Sequence, residues 1–215
     1  VEIEFAVNLS TPPGEPKEFG FLQLRPLAGI RELDAVEIEV EDRVDALCQS
    51  PSVLGNGRVG EVFDVVMVDR KTYHRSQAVE AARSVARFNR TLVAEGRPYL
   101  LIGVGRWGST HPWLGIPVKW DEIAGARAIV EAGFADFKVT PSQGTHFFQN
   151  LASFNIGYFT VNQDAGEGFV DWDWLEGQPA VEELGPVRHL RFQDPLEVVM
   201  NGKSHQGVIR KPRSS

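Results

Sequence analysis

The chain has 215 residues, 42% hydrophobic, 24% charged and 10% aromatic, with a net charge of −7 from 29 acidic and 22 basic side chains. That profile excludes a mainly disordered state, and the acidic balance argues against general nucleic-acid binding. One cysteine, Cys48, excludes an internal disulfide and points to a reducing, cytoplasmic setting, while no apolar run nears the roughly 18 residues of a membrane span.

Taken in chain order, Val1, Ile3, Phe5 and Val7 alternate with Glu2 and Glu4, the period of a β-strand. The pattern is already under way at Val1, which reads as a fragment cut from a longer protein. Thr11-Pro12-Pro13-Gly14-Glu15-Pro16 is a loop, and Phe19 to Arg25 resumes a strand that Pro26 ends, so the first 26 residues read as a hairpin. A strand is expected over 35–40, and a nearly continuous apolar run over 62–68 predicts a strand buried on both faces. Ala78, Ala81, Val85, Phe88 and Leu92 line one face of a helix predicted over 75–95, with Gly96 at its C-terminal turn. A strand over 99–104 follows at once, which makes strand, helix and strand a βαβ-like crossover.

Residues 105–120 are rich in Gly, Pro and Trp. A short helix is expected from about Ser142 to Ser153, and Asp171-Trp172-Asp173-Trp174 reads as a helix start. Strands are expected over 157–161, 187–192, 196–200 and 207–210, the last two joined at Asn201-Gly202. The fold class is α+β, a mixed sheet with a few helices and an N-terminal β-hairpin. Residues 1–28 form one part and 29–215 the other.

Three clusters carry chemistry. Glu2 and Glu4 can face Gln23 and Arg25 across the opening hairpin. Carboxylate and amide oxygens are what Mg²⁺ takes, and a guanidinium beside them grips phosphate. The same residues also fit a solvated face with an incidental Glu–Arg pair. The second cluster, Gly103-Val104-Gly105-Arg106-Trp107-Gly108-Ser109, follows a buried strand, where Arg106 and Ser109 could hold an anion or where the glycines serve only a tight loop. Neither a Rossmann nor a Walker spacing is present. In the third, Pro141 to Asn150, Ser142 is placed to cap a helix start. His146 is then a candidate phosphoacceptor, part of a polar site with Gln143, Thr145 and Gln149, or a structural histidine.

Glu2-Ile3-Glu4-Phe5-Ala6 followed by Leu22-Gln23-Leu24-Arg25-Pro26 resembles the end of the ATP-grasp domain of phosphoenolpyruvate synthase and pyruvate phosphate dikinase. The resemblance covers about one-eighth of the chain, and the connection Asn8 to Glu18 is longer than that family's tight turn. It implies Glu4 and Gln23 as Mg²⁺ ligands, Glu2 at the first acidic position and Arg25 on nucleotide phosphate. ATP and Mg²⁺ are then the cofactors, and upstream domains of the same polypeptide supply the rest of the site. Gly144-Thr145-His146 is similar to the family's phosphohistidine loop, without that loop's small residue between Thr and His and with Phe147 and Phe148 after it. The remainder resembles the region downstream of such a domain in large bacterial PEP/pyruvate-binding proteins. The expected activity is therefore that of a fragment of a phosphotransferase, inactive alone. The competing expectation is a non-catalytic module for a small phosphorylated ligand or a partner domain, with no nucleic acid and no membrane among its partners.

Overall fold

A computed structural model describes residues 2–12, 14–25, 36–109, 111, 113–133, 138–140, 151 and 156–213. The chain divides into two units, Val1–Leu33 and Asp34–Ser215.

In the first unit β1 (Glu2–Asn8) and β2 (Glu18–Arg25) pair antiparallel. The apolar residues of β2 fall on odd positions at Phe19 and Phe21 but on an even one at Leu24, so a regular ladder would split them between two faces. A bulge repairs the mismatch: Glu4 opposes Gln23 while Phe5 opposes Phe21, leaving Leu22 as the extra residue. Ile3, Phe5 and Val7 then share a face with Leu24, Phe21 and Phe19, and the Phe5 and Phe19 rings stack at 5.2 Å. The long connection is closed locally. Glu15 N donates to Pro12 O, Ser10 N donates to Asn8 Oδ1, and Asn8 Nδ2 donates to Glu18 Oε2. Its length therefore leaves the register of Glu2 to Glu4 undisturbed.

The second unit opens with a helical turn, α1 (Val40–Arg43), and the strands β3 (Ala46–Ser50), β4 (Ser52–Leu54) and β5 (Gly57–Val68). Next come α2 (Ala78–Ala94), β6 (Tyr99–Val104), β7 (Arg106–Trp107), β8 (Gly115–Ile116), β9 (Ala126–Ala132) and β10 (Gly157–Val161). The chain ends with β11 (Phe169–Val170), α3 (Trp172–Gly177), β12 (Ala180–Leu184), β13 (Val187–Asn201) and β14 (Gln206–Arg210). The main sheet runs β11-β3-β14-β13-β5-β6-β9-β10-β4, with β12 on the flank of β13. β3 and β4 are separated by Pro51 alone, yet one pairs β14 and the other pairs β10, so this bent strand closes the sheet on itself. The class is mixed α and β, as the sequence predicts.

Within this sheet β5, β6, β9 and β10 are mutually parallel. The β5–α2–β6 passage is the crossover expected from strand, helix and strand. A 3-10 turn over Arg75–Gln77 leads into α2, which buries Ala78, Ala81, Val85, Phe88 and Leu92. Gly96 ends the helix at φ +67°, with its N–H on Val93 O and that of Arg97 on Leu92 O, closing the last carbonyls in a Schellman pattern. Val62 and Val65 to Val68 are fully buried, as a two-sided strand requires.

Three expectations change. Residues 36–39 join no ladder, and Val40–Arg43 is helical. The Asp42 carboxylate accepts from Glu39 N at 3.0 Å and from Arg58 at 2.9 Å, which commits it to a helical turn, and among the described residues no strand pairs with 36–39. The strands expected over 187–192 and 196–200 are one strand, in which register shifts on either side of Leu196 carry Pro195 past β5 without a ladder donor. Asn201-Gly202 does mark the last hairpin, but Asn201 pairs Gln206 and its Oδ1 accepts from the N–H groups of Lys203 and Ser204, so the turn spans four residues. The helix expected over 142–153 and the terminal Ser214 and Ser215 lie outside the described residues, apart from Leu151.

Asp171 shows how one polar side chain positions an element. Its Oδ1 accepts from Trp174 N at 3.1 Å, capping α3, and its Oδ2 accepts from Lys211 Nζ at 2.6 Å. Asp171→Ala is expected to lower stability by about 1–2 kcal/mol, while Asp171→Asn recovers the cap and loses only the ion pair. Urea midpoints of the two variants check this.

Candidate functional site

Antiparallel partners lie side by side on one face of a sheet, and residues two apart share that face. Glu4 is opposite Gln23 and Glu2 opposite Arg25, so the register places all four positions on the polar face of the hairpin. These are hard-oxygen donors beside a guanidinium position, a donor set that fits Mg²⁺ and a phosphate sharing it. Among the described residues no group of three or more His, Cys, Asp or Glu forms a self-sufficient metal cluster. The opposite face carries Ile3, Phe5, Val7, Phe19, Phe21 and Leu24, each 41–62% exposed. A two-stranded hairpin needs a partner under such a face to be stable in water.

The second cluster forms where the four parallel strands end. Gly105 turns the chain at φ +79° and its N–H donates to Ala132 O, while Arg106 N donates to Leu114 O. β7 and β8 pass so close that a Cβ on Gly115 would stand 1.9 Å from Arg106 O. This brings Trp107 back over the sheet. Its indole occupies the space above Gly103, and Nε1 donates to Val130 O at 3.1 Å. The register aligns Gly103, Glu131 and Thr160 across β6, β9 and β10. Beneath the Trp107 turn, Glu131 Oε1 accepts from Trp107 N at 2.8 Å and Oε2 accepts from Tyr158 OH at 2.5 Å.

Glu131 is 1% exposed. Burial pushes its carboxyl up to about 7, against the opposing pull of the Tyr158 and Trp107 hydrogen bonds and the Arg106 charge. Burial also raises the Tyr158 phenol, and the neighbouring Glu131 adds to the rise. Arg106 donates to Thr140 Oγ1, and its Nε is buried without a hydrogen-bond partner. Ser109 does not join it: the Ser109 hydroxyl donates to His111 O and accepts from His111 N, closing a turn of its own loop. His146, with Gln143, Thr145 and Gln149, lies outside the described residues.

A further polar cluster, Asp64 with His189, Arg97 and Arg191, sits at the opposite end of the parallel strands, where Asp64 pairs Tyr99 at the start of β6. Its carboxylate is fully engaged, which marks it as structural. Glu131 and Tyr158 are not among the residues that the sequence alone singles out. The available signal was one acidic residue inside the apolar run Ala128-Ile129-Val130-Glu131-Ala132, since a carboxylate is buried only where donors await it.

Comparison with protein-family models, with curated proteins and with solved structures returns no match. No helix among the described residues is long and apolar enough to cross a membrane.

Proposed function

We propose that the N-terminal hairpin is one edge of an ATP- and Mg²⁺-dependent phosphotransferase site of the phosphoenolpyruvate synthase and pyruvate phosphate dikinase type. The single observation that supports it is the register, which opposes Glu4 to Gln23 and Glu2 to Arg25 on one face. Glu4 and Gln23 hold the metal, Glu2 supports it and Arg25 contacts nucleotide phosphate. Bound Mg²⁺ neutralises phosphate charge, and the role of this chain is to orient that metal and its phosphates. By the resemblance, the glycine-rich and lysine-bearing half of the site would come from upstream domains of the same polypeptide. The working compartment is cytoplasmic, where the buried thiol of Cys48 remains reduced.

The test is Glu4→Ala, and separately Gln23→Ala, in the polypeptide that carries this chain. Mg·ATP affinity is expected to fall at least tenfold, about 1.4 kcal/mol, with turnover falling in parallel. Unchanged affinity and turnover in both variants refute the assignment. The chain of 215 residues by itself is expected to show no phosphotransfer.

A further inference from the structure

We propose that the carboxyl edge of the parallel strands is an oxyanion-binding site in which Arg106 takes the anion and Glu131 takes up a proton as the anion binds. Its residues all belong to the second unit.

The first observation is an incompletely satisfied cation. A guanidinium has five N–H donors in a fixed fork, and one held close to protein needs acceptors for them. Arg106 is partly buried, gives a hydrogen bond to Thr140 Oγ1 and keeps its Nε buried with no partner. The neighbouring carboxylate does not reach that Nε; the Glu131 oxygens accept instead from Trp107 N and Tyr158 OH. A planar or tetrahedral oxyanion supplies the missing acceptors in the bidentate manner that suits arginine.

The second observation is the location. Four parallel strands end at this edge, and parallel strands, in open and closed sheets alike, present ligand sites at their carboxyl ends. Gly105 and Gly115 let the Arg106 backbone run closer to its neighbours than any side chain would allow. Arg106 is thereby fixed to the sheet.

The third is Glu131, which among the described residues faces two titratable or charged groups, Arg106 from β7 and Tyr158 from β10. An ionised Glu131 would oppose an anion held by Arg106, whose charge it already feels through poorly solvated protein. The neutral acid does not, so anion binding favours protonation. With the free carboxyl at about 7, the sign follows: above neutrality the free site has lost the proton and binding must recover it, so affinity falls as pH rises. Below that point the proton is already present and affinity levels off.

Sulfate and acetate are suitable probes, because neither changes charge between about pH 6 and 8. Sulfate represents phosphate-type ligands and acetate represents carboxylates, so the tighter of the two identifies the source chemistry. Calorimetric titration of the whole chain, against chloride at equal ionic strength, is expected to show saturable binding of at least one. That binding should be about tenfold tighter at pH 6 than at pH 8. Arg106→Gln should lose at least tenfold in affinity at both pH values. Glu131→Gln should bind at pH 8 as tightly as the unaltered chain does at pH 6. Repeating the titration of the unaltered chain at pH 8 in buffers of different ionisation enthalpy reads proton uptake directly, a measurement that stands even if a variant fails to fold. The proposal is overturned if neither anion binds saturably at pH 6, if Arg106→Gln binds like the unaltered chain, or if binding takes up no proton at pH 8.

Discussion

Replacing Asp64 with alanine is expected to lower the unfolding free energy by about 3 kcal/mol, among the largest single-site losses in the second unit. Asp64 is fully buried on β5 and accepts from Arg97 Nε at 2.8 Å, from Arg191 Nε at 2.7 Å and from His189 Nε2 at 2.8 Å. An ionised carboxylate can only accept, so His189 Nε2 carries the hydrogen in that contact. Burial alone would raise the Asp64 carboxyl, but the hydrogen bonds from His189, Arg191 and Arg97 outweigh it and hold the group below the ordinary aspartate range. Removing the carboxylate strands a buried imidazole and two guanidiniums. The loss lies at the lower end of the usual 3–5 kcal/mol because Arg97 and Arg191 keep 34% and 36% of their side chains in water.

The pH dependence has a definite sign. A depressed carboxyl stabilises the fold at every pH above its unfolded value near 4 and loses that contribution as pH falls further. The stability gap between the unaltered chain and Asp64→Ala should therefore be present at pH 7 and narrow below about pH 4. Urea unfolding at pH 7 and pH 3 measures both. A gap that is absent at pH 7, or that widens in acid, contradicts the role assigned to Asp64. Asp64→Asn, which keeps the volume and one acceptor, should fall between the two.

What the sequence made legible follows from how local each signal is. The helix over 75–95 is set by apolar spacing and by Gly96, signals contained within some twenty residues, and the structure matches them closely. The hairpin register was also readable, since Glu2, Glu4, Gln23 and Arg25 sit in short alternating strands. The bulge at Leu22 is the part that alternation alone could not place, because it is fixed by which phenylalanines must oppose Phe5 and Val7.

Strand β9 had no such local signature. Ala126, Ala128 and Ala132 have weak strand preference, and the segment becomes a strand because β6 and β10 flank it. With β9 unread, Glu131 had no place in any site. The second cluster was thus only half visible: Arg106 stood out beside its glycines, whereas the carboxylate and phenol near it arrive from strands 25 and 52 positions further along. Ser109 illustrates the converse, a polar residue of the right type whose hydroxyl the loop itself consumes.

Trp107→Ala is expected to cost about 3–5 kcal/mol, the range for deleting a buried tryptophan. Its indole is 2% exposed, fills the space above Gly103 and donates to Val130 O. Alanine leaves that space empty and the carbonyl short of one donor. The consequence for the site is more specific than the loss of stability. The indole lies over Gly103, the strand neighbour of Glu131, and the raised carboxyl depends on exclusion of water more than on any other influence. Removing the indole hydrates the carboxylate and returns it toward the ordinary glutamate value near 4.3. Between pH 6 and 8 the group would then remain ionised, and oxyanion affinity should become weak and independent of pH. Trp107→Phe, which keeps an apolar ring but not the Nε1 donor, should retain most of the stability and most of the pH dependence. Denaturant midpoints give the first comparison, and sulfate or acetate titrations at pH 6 and pH 8 give the second. A Trp107→Ala protein that stays folded and keeps the full pH dependence would show that burial beneath the indole is not what raises Glu131.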